Sequence, residues 1–69
     1  MLTQSHHLLE KRLEKAAALL RDGDWRDRKI ADIALAAGFN DLSHFNRSFR
    51  RRFGATPSDL RAAAARDEA

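Results

Sequence analysis

Sixty-nine residues leave room for one small domain with a modest core. A composition of 43% hydrophobic and 33% charged residues suits a compact helical domain and argues against a disordered tail. The absence of cysteine excludes disulfides and thiolate metal sites, and no apolar run reaches the length of a membrane span or reads as a signal peptide.

The net charge of +3 is unevenly placed. Residues 39–53 carry Arg47, Arg50, Arg51 and Arg52 against Asp41 alone, whereas the basic and acidic residues of 23–38 cancel. An excess gathered on one short segment is the electrostatic footprint expected of a phosphate-binding surface.

Residues 6–21 are predicted as the first helix. Leu9, Leu13, Ala16, Ala17 and Leu20 recur at helical spacing as its apolar stripe, widened on one flank by Leu8 and Leu19. Glu10–Glu14 and Lys11–Lys15 are like-charged pairs four residues apart, so packing rather than ion pairing must hold this helix. Gly23 is the expected stop, where left-handed backbone commonly ends a helix. Residues 1–5 carry no usable signal. His6 and His7 are adjacent and so point in different directions on a helix. With no third ligand near, they are expected as a solvated helix start, and no metal or other cofactor is expected.

The segment 22–28 is a polar connection with one large apolar residue, Trp25, expected to fold back as a lid on the core. A short helix over 29–37 then buries Ile30, Ile33, Ala34 and Ala37, and Gly38 closes it. The small side chain of Ala34, four residues before Gly38, lets two helices cross closely.

Residues 41–53 form the next helix, with Asp41 as its N-cap. Leu42, Phe45, Phe49 and Phe53 share one side, and Ser43, Asn46, Arg47 and Arg50 line a second face turned largely away from it. The phenylalanines, Phe39 included, are expected in the core because their spacing is that of a buried stripe. A helix that is apolar on one side and basic on the other can pack on its own domain and lie in a DNA groove. Gly54 ends it, and Thr56-Pro57 opens a last helix over 57–66 as N-cap and first residue. Leu60, Ala63 and Ala64 can pack back on the rest, and residues 66–69 are expected to fray. The expected class is all-α: a small helical domain with a long first helix, a helix-turn-helix and a C-terminal helix.

The pattern Ile30-x-x-Ile33-Ala34-x-x-x-Gly38-Phe39-x-Asp41-x-Ser43-x-Phe45-x-Arg47-x-Phe49-Arg50-Arg51-x-Phe53-Gly54-x-Thr56-Pro57-x-x-x-Arg61 resembles the second helix-turn-helix of the AraC/XylS family of bacterial transcription regulators. Arg12-Leu13-Glu14-x-Ala16-x-x-Leu19-Leu20 looks like that family's connecting helix. Leu60 stands where the family often has tyrosine, and the 22–28 connection is a few residues longer. The resemblance implies a sequence-specific regulator in the bacterial cytoplasm, associated with the nucleoid, whose 41–53 helix enters the major groove. Family members ordinarily carry two helix-turn-helix units, so residues 1–69 are expected as a single unit.

On that basis Ser43, Asn46 and Arg47 are the expected base contacts, since arginine suits the guanine edge and asparagine the adenine edge. Arg50, Arg51, Arg52 and Lys29 are the expected phosphate contacts. His44 is expected at the backbone or simply exposed. Double-stranded DNA is the expected partner, with no membrane and no small-molecule effector evident. Leu8, Leu9 and Leu13 lose their cover when the first unit is absent, so a homodimer through the first helix is expected. The alternative is a helical protein-interaction module that pairs with another regulator without touching DNA. No nucleophile–base pair, phosphate loop or metal cluster points to an enzyme.

Overall fold

Four α-helices and one short 3-10 turn follow each other along the chain, with no strand among the described residues. The computed structural model describes residues 2–68, and the side chains of residues 7–66.

Helix α1 spans Leu2–Arg21 and begins earlier than the periodicity predicts. No glycine or proline precedes Gly23, so nothing breaks the helix on its N-terminal side. His6 lies outside the described side chains, and His7 is exposed. The predicted stop at Gly23 is corrected. Gly23 does not adopt positive φ; it is the first residue of a 3-10 turn, Gly23–Trp25. The Asp22 N–H donates to the Leu19 carbonyl at 3.1 Å, and the Asp22 carboxylate accepts from the Asp24 N–H at 2.9 Å. An acidic cap thus turns the chain without a left-handed residue. Trp25 is half-buried against the core, as a lid would be. The Arg28 guanidinium lies 5.2 Å from its ring centroid, and Arg61 Nη2 donates to the Arg28 carbonyl at 2.6 Å.

Helix α2 spans Ile30–Ala36, one residue shorter at each end than predicted. It closes as a Schellman motif. Gly38 N–H donates to Leu35 and Phe39 N–H to Ala34, at 3.0 and 2.9 Å, with Gly38 at φ 103°. Helix α3 spans Leu42–Phe53 and ends on Gly54 at φ 76°. Helix α4 spans Pro57–Glu68 and opens with a reciprocal cap. Asp59 N–H donates to Thr56 Oγ1 at 3.1 Å, and Thr56 N–H reaches Asp59 Oδ2 at 3.4 Å. Helix α4 runs two residues past its predicted end at 66, to Glu68. The run of alanines at 62–65 favours continuation.

Helix α1 touches each of the other helices, α4 most extensively. The core joins Leu13, Ala16, Ala17 and Leu20 of α1 to Ile33, Ala34 and Ala37, then to Phe39, Phe45 and Phe49. Four of these are alanines, which lets the helix axes approach closely. The rings of Phe39, Phe45, Phe49 and Phe53 form a continuous file, with successive centroids 4.9, 5.6 and 4.6 Å apart. Tilted contacts at these distances are favourable beyond area burial.

Two leucines are placed differently from expectation. Leu13 is 2% exposed, because it continues the Ala16–Ala17–Leu20 stripe into the core; it is not surface for a second copy. Leu42 is 42% exposed. As the first residue of α3, it lies a turn ahead of Phe45 and stays at the rim of the core.

Candidate nucleic-acid interface

The face opposite the phenylalanine file belongs to α3. Its start is held by Asp41, whose Oδ1 accepts from the Ser43 and His44 N–H groups at 2.9 and 3.2 Å. Its last turn carries Arg50, Arg51 and Arg52, where positive charge complements the helix dipole. With Phe45 and Phe49 fully buried, the helix cannot rotate without breaking the core, so the outward residues are fixed by the inward ones.

Arg47 lies close to the centre of the outward face. At about 100° per residue, Ser43 and Arg50 fall to one side of it, and Arg51 and His44 to the other. Ser43, Asn46, Arg47, Arg50 and Arg51 are all exposed, and of these Ser43, Arg47, Arg50 and Arg51 share one continuous surface. Asn46 is the outlier, turned about 100° from Arg47 toward the rim occupied by Leu42 and Phe53. Lys29 is exposed on another element, as the residue preceding α2, and makes no side-chain cap there.

Arg52 is placed differently from its expected role at phosphate. It turns toward α1, where its Nε donates to Glu10 Oε2 at 2.7 Å, and its guanidinium lies 4.9 Å from the Phe53 ring centroid. The hydrogen bond to Glu10, and then the charge of that carboxylate, raise the Arg52 pKa above its already high ordinary value. Arg52 is therefore engaged within the domain. Among the described residues, none of Arg47, Arg50 and Arg51 is ion-paired.

Two features of this surface were not singled out from sequence. The first is an open groove of about 680 Å³ between α1 and α3, lined by Leu9, His44, Arg47, Ser48, Arg50 and Arg51. The His44 ring meets Phe39 edge-on at 5.9 Å between centroids, and Ser48 is half-buried. The spacing of 44, 47, 48 and 51 was visible as a helical stripe; that α1 walls it was not. The second is Arg12. A Cβ on Gly38 would come within 3.0 Å of Arg12 Nε, so this α1 side chain lies directly over the turn between α2 and α3.

A short helix, a glycine-closed turn and a capped second helix with a buried aromatic face and an outward basic face together define a helix-turn-helix domain of the DNA-binding type. A family model described as a helix-turn-helix domain matches residues 2–63, covering α1 as well as the motif. The chain belongs to the AraC/XylS family of transcription regulators. It is 50% identical over 64 residues to the transcriptional activator RhrA of Rhizobium meliloti (strain 1021), covering 91% of this chain and 20% of that protein. It is 45% identical to the HTH-type transcriptional regulator CdhR of Pseudomonas aeruginosa, covering 87% of the chain and 17% of the relative. To the HTH-type transcriptional activator RhaS of Klebsiella pneumoniae (strain 342) it is 43% identical, covering 87% and 20%. The chain thus spans about a fifth of the length of these relatives. No solved structure matches it. No described helix is long and apolar enough to cross a membrane.

Proposed function

We propose that this domain binds duplex DNA at preferred sequences and so controls transcription at the bacterial chromosome, as one unit of the family's DNA-binding architecture. The observation that carries it is the exposure of Arg47, Arg50 and Arg51 on one face of α3 with no ion pair among the described residues, while the opposite face is the core. Unpaired arginines at this density are suited to phosphates and guanine edges. Helix α3 enters the major groove. Ser43, Arg47 and the more lateral Asn46 read bases; Arg50, Arg51 and Lys29 hold phosphates and set register.

Selection from a random duplex library, followed by anisotropy titrations across salt concentrations, tests this directly. An enriched motif, bound with an affinity that falls steeply as salt rises, is expected. No enrichment and no salt dependence would leave the domain a protein-interaction module.

A second copy of the chain is a further partner in this proposal. With Leu13 in the core, self-association through α1 rests on Leu8, 49% exposed, and the outer edge of Leu9. Sedimentation of the wild type beside Leu8→Glu decides it: a wild type that stays monomeric at high micromolar concentration removes the dimer.

A further inference from the structure

The groove between α1 and α3 is shaped and charged for one half of a duplex rather than for a separate ligand. A major groove is about 12 Å wide, and an α-helix with its side chains has nearly that diameter. A helix seated in it therefore has one sugar–phosphate strand along each flank. Around α3, one flank is the Ser43 and Asn46 side; Arg50 starts from that side by helical angle, but its side chain reaches across to line the α1–α3 groove. The other, reached by turning about 40°, 60° and 100° from Arg47, is Arg51, His44 and Ser48. That second flank faces α1, because Arg52, further round in the same direction, meets Glu10 of α1.

We propose that the α1–α3 groove is a track for one sugar–phosphate strand of the bound duplex, an inference that rests on the DNA-binding reading above. Arg51 supplies charge to the strand, and His44 and Ser48 supply hydrogen-bond donors. Leu9, the apolar wall from α1, packs on a deoxyribose. The imidazole is steadied by its edge contact with Phe39, itself 3% exposed. The acidic group nearest this wall in sequence is Glu10, and Arg52 holds its carboxylate. Arg52 thus serves the strand as a positioning residue, by neutralising a carboxylate that would repel phosphate. Helix α1 becomes part of the DNA-binding surface, not only scaffold.

The experiment adds the same charge at two places on α1. Leu9→Lys puts an ammonium into the groove. Ala18→Lys puts one at an exposed site nine residues on, about half a turn round the helix. Both variants, and the wild type, are titrated with a 20-base-pair duplex carrying the selected site and with a random duplex. Leu9→Lys is expected to tighten both duplexes alike and to steepen the salt slope by about one unit, and Ala18→Lys to leave the slope near that of the wild type. Because Leu9 also packs on the core, Ser48→Asp and Ser48→Lys form a second arm on α3, with thermal melts to establish folding. Ser48→Asp should weaken both duplexes about tenfold, and Ser48→Lys should strengthen both. Equal effects of Leu9→Lys and Ala18→Lys, or affinities unmoved by both Ser48 variants, overturn the track while salt-sensitive DNA binding by the wild type stands. A wild type that binds neither duplex overturns the parent reading and the track together.

Discussion

Arg47 and Arg51 are four residues apart on the same exposed surface, yet the DNA-binding mode proposed above gives them different work. Arg47 sits at the outward centre of α3 and Arg51 toward the α1 flank; in the proposed DNA-binding mode the first guanidinium would meet base edges and the second phosphate. Arg47→Ala is expected to reduce discrimination between a selected site and random DNA by about 1–3 kcal/mol. Arg51→Ala should weaken both alike and flatten the salt slope by about one unit. Competition titrations at several salt concentrations measure both quantities, and a uniform loss for Arg47→Ala would remove it from the base-reading set. On the inward face, Phe49 is fully buried between Phe45 and Phe53. Its truncation to alanine is expected to cost about 3–5 kcal/mol. In a domain of this size that rivals the whole stability. Thermal melts beside Phe49→Leu check this: a shift of only a few degrees would show that the ring is not a keystone.

At the scale of elements, the joints decide where α3 points. Gly38 and Gly54 both stand at positive φ, but their surroundings differ. A Cβ at Gly54 meets nothing within 4 Å, whereas one at Gly38 meets Arg12. Gly54→Ala should therefore cost only the left-handed backbone penalty, about 1–2 kcal/mol. Gly38→Ala should cost more, and Arg12→Ala should do less harm on the Gly38→Ala background than alone. Urea unfolding of the wild type, the three single variants and the double variant measures the difference; additive losses would show that Arg12 and the turn are uncoupled.

These joints also mark how far the sequence could be read. Caps and glycines act over a few residues, and Gly38, Asp41, Gly54 and Thr56-Pro57 were each assigned correctly from local chemistry. Gly23 was not, because a glycine after a helix resembles a stop whether or not an aspartate beside it turns the chain. Arg12 over Gly38, Arg52 on Glu10 and Arg61 on the Arg28 carbonyl join residues far apart in sequence. No periodicity announces such partners; they follow from how α1 and α4 are laid across the motif.

Across the whole molecule, α1 is the member that every other helix leans on, and this explains the expectation for Leu13 that changed. Leu13 is drawn into the core that α1 shares with α2 and α3, which shrinks the surface left for a second copy. The α1 residues beyond that cover are left beside α3, which makes Leu9 a wall of the basic groove. The basic face itself was legible, because charge and apolar residues segregate on one helix at fixed spacing. The flank that takes α1, and hence the division of the arginines between internal and external partners, needed the tertiary arrangement.

The Asp41 cap has a consequence for direction. Its carboxylate is occupied by two amides at the start of α3, while the arginines crowd the far end, so the helix carries opposite charge at its two tips. In the proposed mode a duplex meeting this surface would find the two approach orientations unequal. One sets the acidic tip over base edges and the basic tip over phosphates; the reverse sets a carboxylate against the most negative part of the DNA. On the proposed DNA-binding reading the cap would act as a polarity key, disfavouring the backward fit before any base is compared. Asp41→Asn keeps a good cap and deletes the charge. It should leave the melting temperature nearly unchanged while raising affinity for random DNA more than for the selected site. Equal gains on both would mean that orientation is set elsewhere, by the strand in the α1–α3 groove alone.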